Sequence, residues 1–167
     1  FPLKGDETNP SFLSLLAGVC VCEELQKSVS FPLLIKWPND IYLNGKKLCG
    51  ILTELVNGAA VVGVGINSGT PADAFPPEIK NTATSLAAEG ILPPDKNKLI
   101  TGVVARLDHA VYEDGVLSGN TGDAVYEINR RFYLKDKTVK IASGGKEISG
   151  TALRASGSGA LTLLTDS

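Results

Sequence analysis

Residues 36–52 read KWPNDIYLNGKKLCGIL, and the fold of the chain turns on how this stretch is paired. Asn44-Gly45 sits in its middle, between Ile41-Tyr42-Leu43 and Leu48-Cys49. An Asn-Gly loop between β-type runs marks a two-residue hairpin, because both central residues of a type I′ turn need positive φ. A second pair, Asn57-Gly58, lies between Leu55-Val56 and the apolar run that ends at Ile66. Residues 33–37 (LLIKW) supply a strand before the first hairpin. Residues 33–67 are therefore predicted to form a meander of about four antiparallel strands.

The turns set the pairing. A two-residue loop at Asn57-Gly58 places Leu52 opposite Gly63 and Gly50 opposite Gly65. The same count at Asn44-Gly45 places Ile41 opposite Leu48 and Asn39 opposite Gly50. Side chains alternate along a strand, so one face is expected to carry Asn39, Ile41, Leu48, Gly50, Leu52, Gly63, Gly65 and Asn67. The other carries Ile51, Thr53, Val62, Val64 and Ile66, a core face. Three glycines adjoin at the centre of the first face, where a strand normally wants bulk. Either another backbone or a helix presses on them, or a flat ligand lies there with Asn39 and Asn67 at the rim. Strict alternation points Lys47 and Asp40 away from this face unless a bulge redirects them.

Working outward, Asn9-Pro10 reads as a helix start, and Phe12, Leu15, Leu16, Val19, Cys20 and Leu25 continue it over about residues 11–28. Residues 68–81 form a loop rich in Pro, Gly, Asp and Asn. Thr84 or Ser85 is expected to cap a short helix ending near Gly90. Pro93-Pro94-Asp95 opens a longer helix with Leu99, Val103, Leu107 and Val111 on one face. Another helix is expected over about 123–133. From Lys137 the pattern becomes short alternating strands with Gly-rich turns. The expected architecture is α/β of the α+β type, a mostly antiparallel sheet with helices, divided into residues 1–135 and a small SH3-like β domain at 136–167.

The 167 residues are 43% hydrophobic and 20% charged, with a net charge of −2, which suits a packed domain. Basic residues are scattered, so the footprint of a nucleic-acid binder is missing. The longest apolar run, Ala59 to Ile66, is too short to span a membrane. Cys20, Cys22 and Cys49 have no metal-like spacing and read as small buried hydrophobes whose free thiols suit a reducing cytoplasm. With no methionine at residue 1, the chain is expected to be a piece of a longer protein.

KWPNDIYLNGKKLCGILTEL followed by VVGVGINS resembles the catalytic domain of biotin protein ligases. That family carries K-W-P-N-D, then K-x-x-G-I-L-x-E, then a G-x-G-x-N strand, all present here in order. Thr82-Ala83-Thr84-Ser85-Leu86 resembles the family's A-T-S-L segment. The resemblance implies a two-step reaction. Biotin and Mg-ATP give biotinyl-AMP and pyrophosphate, and the adenylate then acylates a lysine of a biotin carboxyl carrier protein. It assigns Lys47 to the biotin carboxylate and α-phosphate, and Gly50, Leu52 and Gly63 to the biotin floor. Asn39, Asp40, Gly65 and Asn67 go to the ATP and adenylate end. ATP and Mg2+ are the implied cofactors, a homodimer is an open expectation, and no metal-ligand set is read from the residues. The family's G-R-G-R-x-G loop and its DNA-binding helix-turn-helix are not among these residues. Three rivals remain at this point: a lipoate–protein ligase, a non-catalytic interaction module of the same fold, and a nucleotide-binding domain indifferent to biotin.

Overall fold

The computed structural model describes residues 10–165, so the Asn9 cap lies outside the described residues. Helix α1 (Pro10–Leu25) is the centre of the molecule. Of its residues only Pro10, Ser11 and Glu23 escape burial. A helix apolar on all sides must be surrounded, and this one is. Gly18 lets the sheet come close: a Cβ there would sit 3.6 Å from the Cδ1 atoms of both Ile35 and Ile51. Ser14, buried on the same helix, donates to Thr53 Oγ1 at 2.8 Å.

The strands β1 (Leu33–Lys36), β2 (Asp40–Leu43), β3 (Lys46–Val56) and β4 (Ala59–Ile66) form one antiparallel sheet in that order. Both Asn-Gly pairs adopt the expected turn, with φ of 50° and 77° at Asn44-Gly45 and 50° and 74° at Asn57-Gly58. The β3–β4 register is the one expected, with Gly50 opposite Gly65 and Leu52 opposite Gly63. The β2–β3 register is corrected. Leu43 pairs with Lys46 and Tyr42 with Lys47, but then Ile41 pairs with Cys49 and Asp40 with Gly50. Leu48 is the extra residue of a β-bulge, which shifts the pairing by one. Ile41 and Leu48, expected on the glycine face, are fully buried in the core instead. Asp40 takes the place expected for Asn39. The driving force is apolar: burying two aliphatic side chains is worth about 1.5–3 kcal/mol each. Val64, expected in the core, is 39% exposed, because it sits on the outermost strand of the sheet.

Helix α2 (Lys96–Tyr112) starts where expected, with Asp95 accepting from the Lys98 N–H at 2.8 Å. Helix α3 (Gly122–Arg130) stops short of Tyr133. The chain there leaves the helix to bond along β1, with Ile35 N–H donating to Arg131 O at 2.7 Å and Tyr133 N–H to Ile35 O at 2.9 Å. The short helix expected before Gly90 is a single turn, because residues 82–84 are committed to pairing with Lys47.

Strands β5 (Thr138–Ser143), β6 (Lys146–Ala155) and β7 (Leu161–Leu164) make a second antiparallel sheet. Side chains of Asn129 and Trp37 help pin it to the rest. The Asn129 side chain bonds both backbone groups of Ala155, at 2.9 and 3.0 Å. The indole N–H of Trp37 donates to Gly159 O at 2.9 Å. Gly159 has φ +78°, and a Cβ there would lie 2.8 Å from the backbone of Phe12 on α1. Gly159→Ala should therefore lose about 2–4 kcal/mol, the left-handed cost plus an overpacked contact. Gly58→Ala, with φ +74° but nothing within 4 Å, should lose only about 1 kcal/mol. Urea unfolding of the two variants checks the difference.

Candidate active site

The bulge builds the site. Because Leu48 is looped into the core, Lys47 and Gly50 face the same way although they are three positions apart. Tyr42 and Asp40, their partners on β2, share that face. Lys47 Nζ lies 2.6 Å from Asp40 Oδ1, with the side chains 44% and 18% exposed. Gly50 makes room for this: a Cβ on it would stand 3.2 and 3.3 Å from Lys47 Cε and Nζ. Beside the ion pair the sheet is bare. At Gly63 and Gly65 a Cβ would meet only a carbonyl oxygen of the neighbouring strand, 3.8 Å away in each case. Among the described residues no helix or other backbone presses on these two glycines, so one of the two explanations of the patch loses its support.

A shallow cavity of about 550 Å³ lies over this face. It brings together Lys47, Asp40, Asn39, Gly50, Leu52, Gly63 and Gly65; Asn67 lies outside its lining. Leu52 is 59% exposed, an apolar side chain at the cavity's edge with no core to fill. Each of the two asparagines spends an amide N–H on the chain. Asn39 Nδ2 donates to Ile51 O at 2.6 Å, which closes the Trp37–Asn39 turn onto β3. Asn67 Nδ2 donates to Thr84 O at 3.0 Å, which ties β4 to the segment after the loop. Asn39 thus holds backbone at the cavity, and Asn67 holds it beyond the cavity's lining.

The face also continues beyond the residues expected on it. Lys36 Nζ donates to Tyr42 Oη at 2.9 Å. The Tyr42 ring packs on Tyr133 with centroids 4.7 Å apart, and Lys137 Nζ sits 3.5 Å over the Tyr133 ring. Tyr42 was detectable in principle, since it lies two residues from Asp40 on the same strand. Tyr133 arrives from a distant segment and left no local signal.

The three thiols take no part. Burial pushes Cys20, Cys22 and Cys49 each up to about 12, so they stay protonated and unreactive near neutral pH. A larger groove of about 710 Å³ runs between α1 and α2. Its buried carboxylate, Glu24, is already bonded to Lys27 and Arg106, and these two hold it below the usual carboxylate range. That groove carries packing and no convergent chemistry. Among the described residues no helix is long and apolar enough to cross a membrane.

Comparison with known proteins points the same way. The Biotin/lipoate A/B protein ligase family matches residues 3–70. A bifunctional ligase/repressor BirA of Bacillus spizizenii is 44% identical over 80 residues, covering 45% of this chain and 25% of that protein. A biotin–[acetyl-CoA-carboxylase] ligase of Mycobacterium tuberculosis is 33% identical over 105 residues, covering 61% of this chain and 38% of that protein. The chain thus spans well under two thirds of the curated relatives' own length. The biotin protein ligase of Aquifex aeolicus, solved in complex with biotin and ATP, superposes with a TM-score of 0.81 at 28% identity, covering 95% of this chain and 66% of that one. In sequence and in fold, the chain is similar to biotin protein ligases over part of their length.

The open glycines make a stability prediction. Gly63→Val adds a β-favouring side chain to a strand, into open space. Its thermal or urea stability should stay within about 1 kcal/mol of the parent's. A loss of several kcal/mol would mean that a packed surface covers Gly63 in the intact protein.

Proposed function

We propose that the chain carries the adenylate-forming site of an ATP-dependent biotin–protein ligase, with biotin lying on the glycine face of β3 and β4. The observation that supports it most is Lys47 held against Asp40 beside bare backbone. A fused ring system lying against a strand needs a floor clear of side chains, and Gly50 and Gly63 supply one with Leu52 at its edge. The ring's carboxylate tail then reaches Lys47.

In the first step a biotin carboxylate oxygen attacks the α-phosphorus of ATP. A C–O–P bond forms, and the bond to the pyrophosphate oxygen breaks. Two anions must approach each other, and the Lys47 ammonium offsets that repulsion. Before substrate binds, Asp40 keeps the ammonium in place; the substrate carboxylate then competes for it. In the second step the amine of a carrier lysine attacks the acyl carbon and expels AMP, and a proton leaves the nitrogen. Asn39 and Asn67 shape the nucleotide end by fixing the backbone there, and Gly65 leaves room for it.

Mg2+ enters this reading with the nucleotide. Asp40 is the one carboxylate lining the cavity, and among the described residues no group of three or more His, Cys, Asp or Glu gathers to hold a metal. Such a donor set fits an ion carried mainly by phosphates and water, with one protein carboxylate at most. The partner in this reading is a biotin carboxyl carrier protein, whose exposed lysine is the acyl acceptor. Unreactive, buried thiols agree with a cytoplasmic setting.

Kinetics of the intact protein test this. Lys47→Ala should lower biotin- and ATP-dependent pyrophosphate release by about 10²–10³. Its stability should fall by less than about 1 kcal/mol, since the ion pair is partly exposed. Lys46→Ala, pairing on the strand's other side, should change almost nothing. Gly63→Val should weaken biotin binding while keeping the fold. Normal pyrophosphate release by Lys47→Ala would overturn the reading.

A further inference from the structure

Lys47 is held by its backbone as well as by Asp40. Its N–H donates to Thr82 O at 2.8 Å, and its carbonyl accepts from Thr84 N–H at 2.9 Å. Residues 82–84 thus lie parallel along the bulge, bridged through Ala83. The same segment is tied to the end of β4, because Leu86 N–H donates to Asn67 O at 3.1 Å. A single carboxylate locks this strap to the hairpin. Glu89 Oε1 accepts from Thr84 Oγ1 at 2.5 Å, and Glu89 Oε2 accepts from Asn44 Nδ2 at 2.7 Å. Asn44 is the first residue of the positive-φ turn that feeds Lys46 and Lys47 into β3.

We infer that Glu89 is a positioning residue for Lys47, joining the Asn44 turn to the Thr84 strap so that the bulge presents the ammonium over Gly50. The inference rests on the ligase reading above. Each carboxylate oxygen serves one side of the junction, so both contacts depend on one side chain. Leu43 and Leu48 anchor the hairpin in the core, but the turn residues Asn44 and Gly45 are exposed, so the position of the turn against the strap rests on side-chain bonds such as these. Misplacement of a reacting group by about 1 Å is enough to cost up to ~10²-fold in rate. Glu89 touches no ligand in this account; it acts through Lys47.

The test is a double-mutant cycle in the intact protein, read by pyrophosphate release with biotin and ATP. Glu89→Ala should lower kcat about 10- to 100-fold with little change in biotin affinity. Glu89→Gln keeps one acceptor oxygen and should fall between the two. Asn44→Gly, which keeps the turn and removes the amide, should lose rate in the same direction. Added to Lys47→Ala, Glu89→Ala should cost less than about 2-fold more, because its effect passes through a group already absent. Equal losses with and without Lys47, or a lowered melting temperature with normal kcat, would overturn the inference. So would a normal Glu89→Gln and Asn44→Gly pair if Glu89→Ala fails to fold. A normal Lys47→Ala rate would instead overturn the ligase reading on which it rests.

Discussion

The extra residue at Leu48 is the constraint on which the rest depends. Without it, strict alternation would put Lys47 on the core side and leave Ile41 and Leu48 in the open. With it, the aliphatic side chains enter the core beside α1 and the lysine turns outward beside three glycines. One apolar burial thus sets both the packing and the chemistry of the hairpin. The bulge remains in place because both sides of it are occupied: the core takes Leu48, and the 82–84 strap takes the backbone of Lys47.

The remaining architecture supplies rigidity to that hairpin. Helix α1 is buried on all sides and fills the space beneath the sheet, so the strands have a fixed floor. Trp37 and Asn129 fasten the smaller sheet, and Gly159 lets it close against Phe12. Against this rigid background the glycine face stands out as under-built. Gly50, Gly63 and Gly65 give up strand propensity at adjoining positions, and the described part of the molecule puts no side chain back over Gly63 or Gly65. Local rules broken at one place in an otherwise consistent fold are the mark of a functional surface.

Much of this was legible in the sequence. The two Asn-Gly turns fixed four strands and the β3–β4 register without error, because a two-residue loop leaves no freedom in the count. The same count failed between β2 and β3. A bulge depends on which of Ile41, Leu48 and Cys49 the core accepts, and that is decided by α1, far away in the chain. The resemblance to biotin protein ligases put Lys47 on the glycine face where the count could not. Glu89 was invisible for a related reason: its partners, Asn44 and Thr84, meet only once residues 82–89 fold back over the hairpin. The segment before Gly90 forms a single turn and not the expected helix, because capping residues also serve isolated turns.

A crystal structure of the intact protein with biotin bound tests the central claim most directly. The account places the biotin rings over Gly50 and Gly63, with the carboxylate on Lys47 Nζ and the ammonium drawn away from Asp40. Biotin bound elsewhere, or a glycine face covered by the protein's own backbone while Lys47 stays on Asp40, would contradict it.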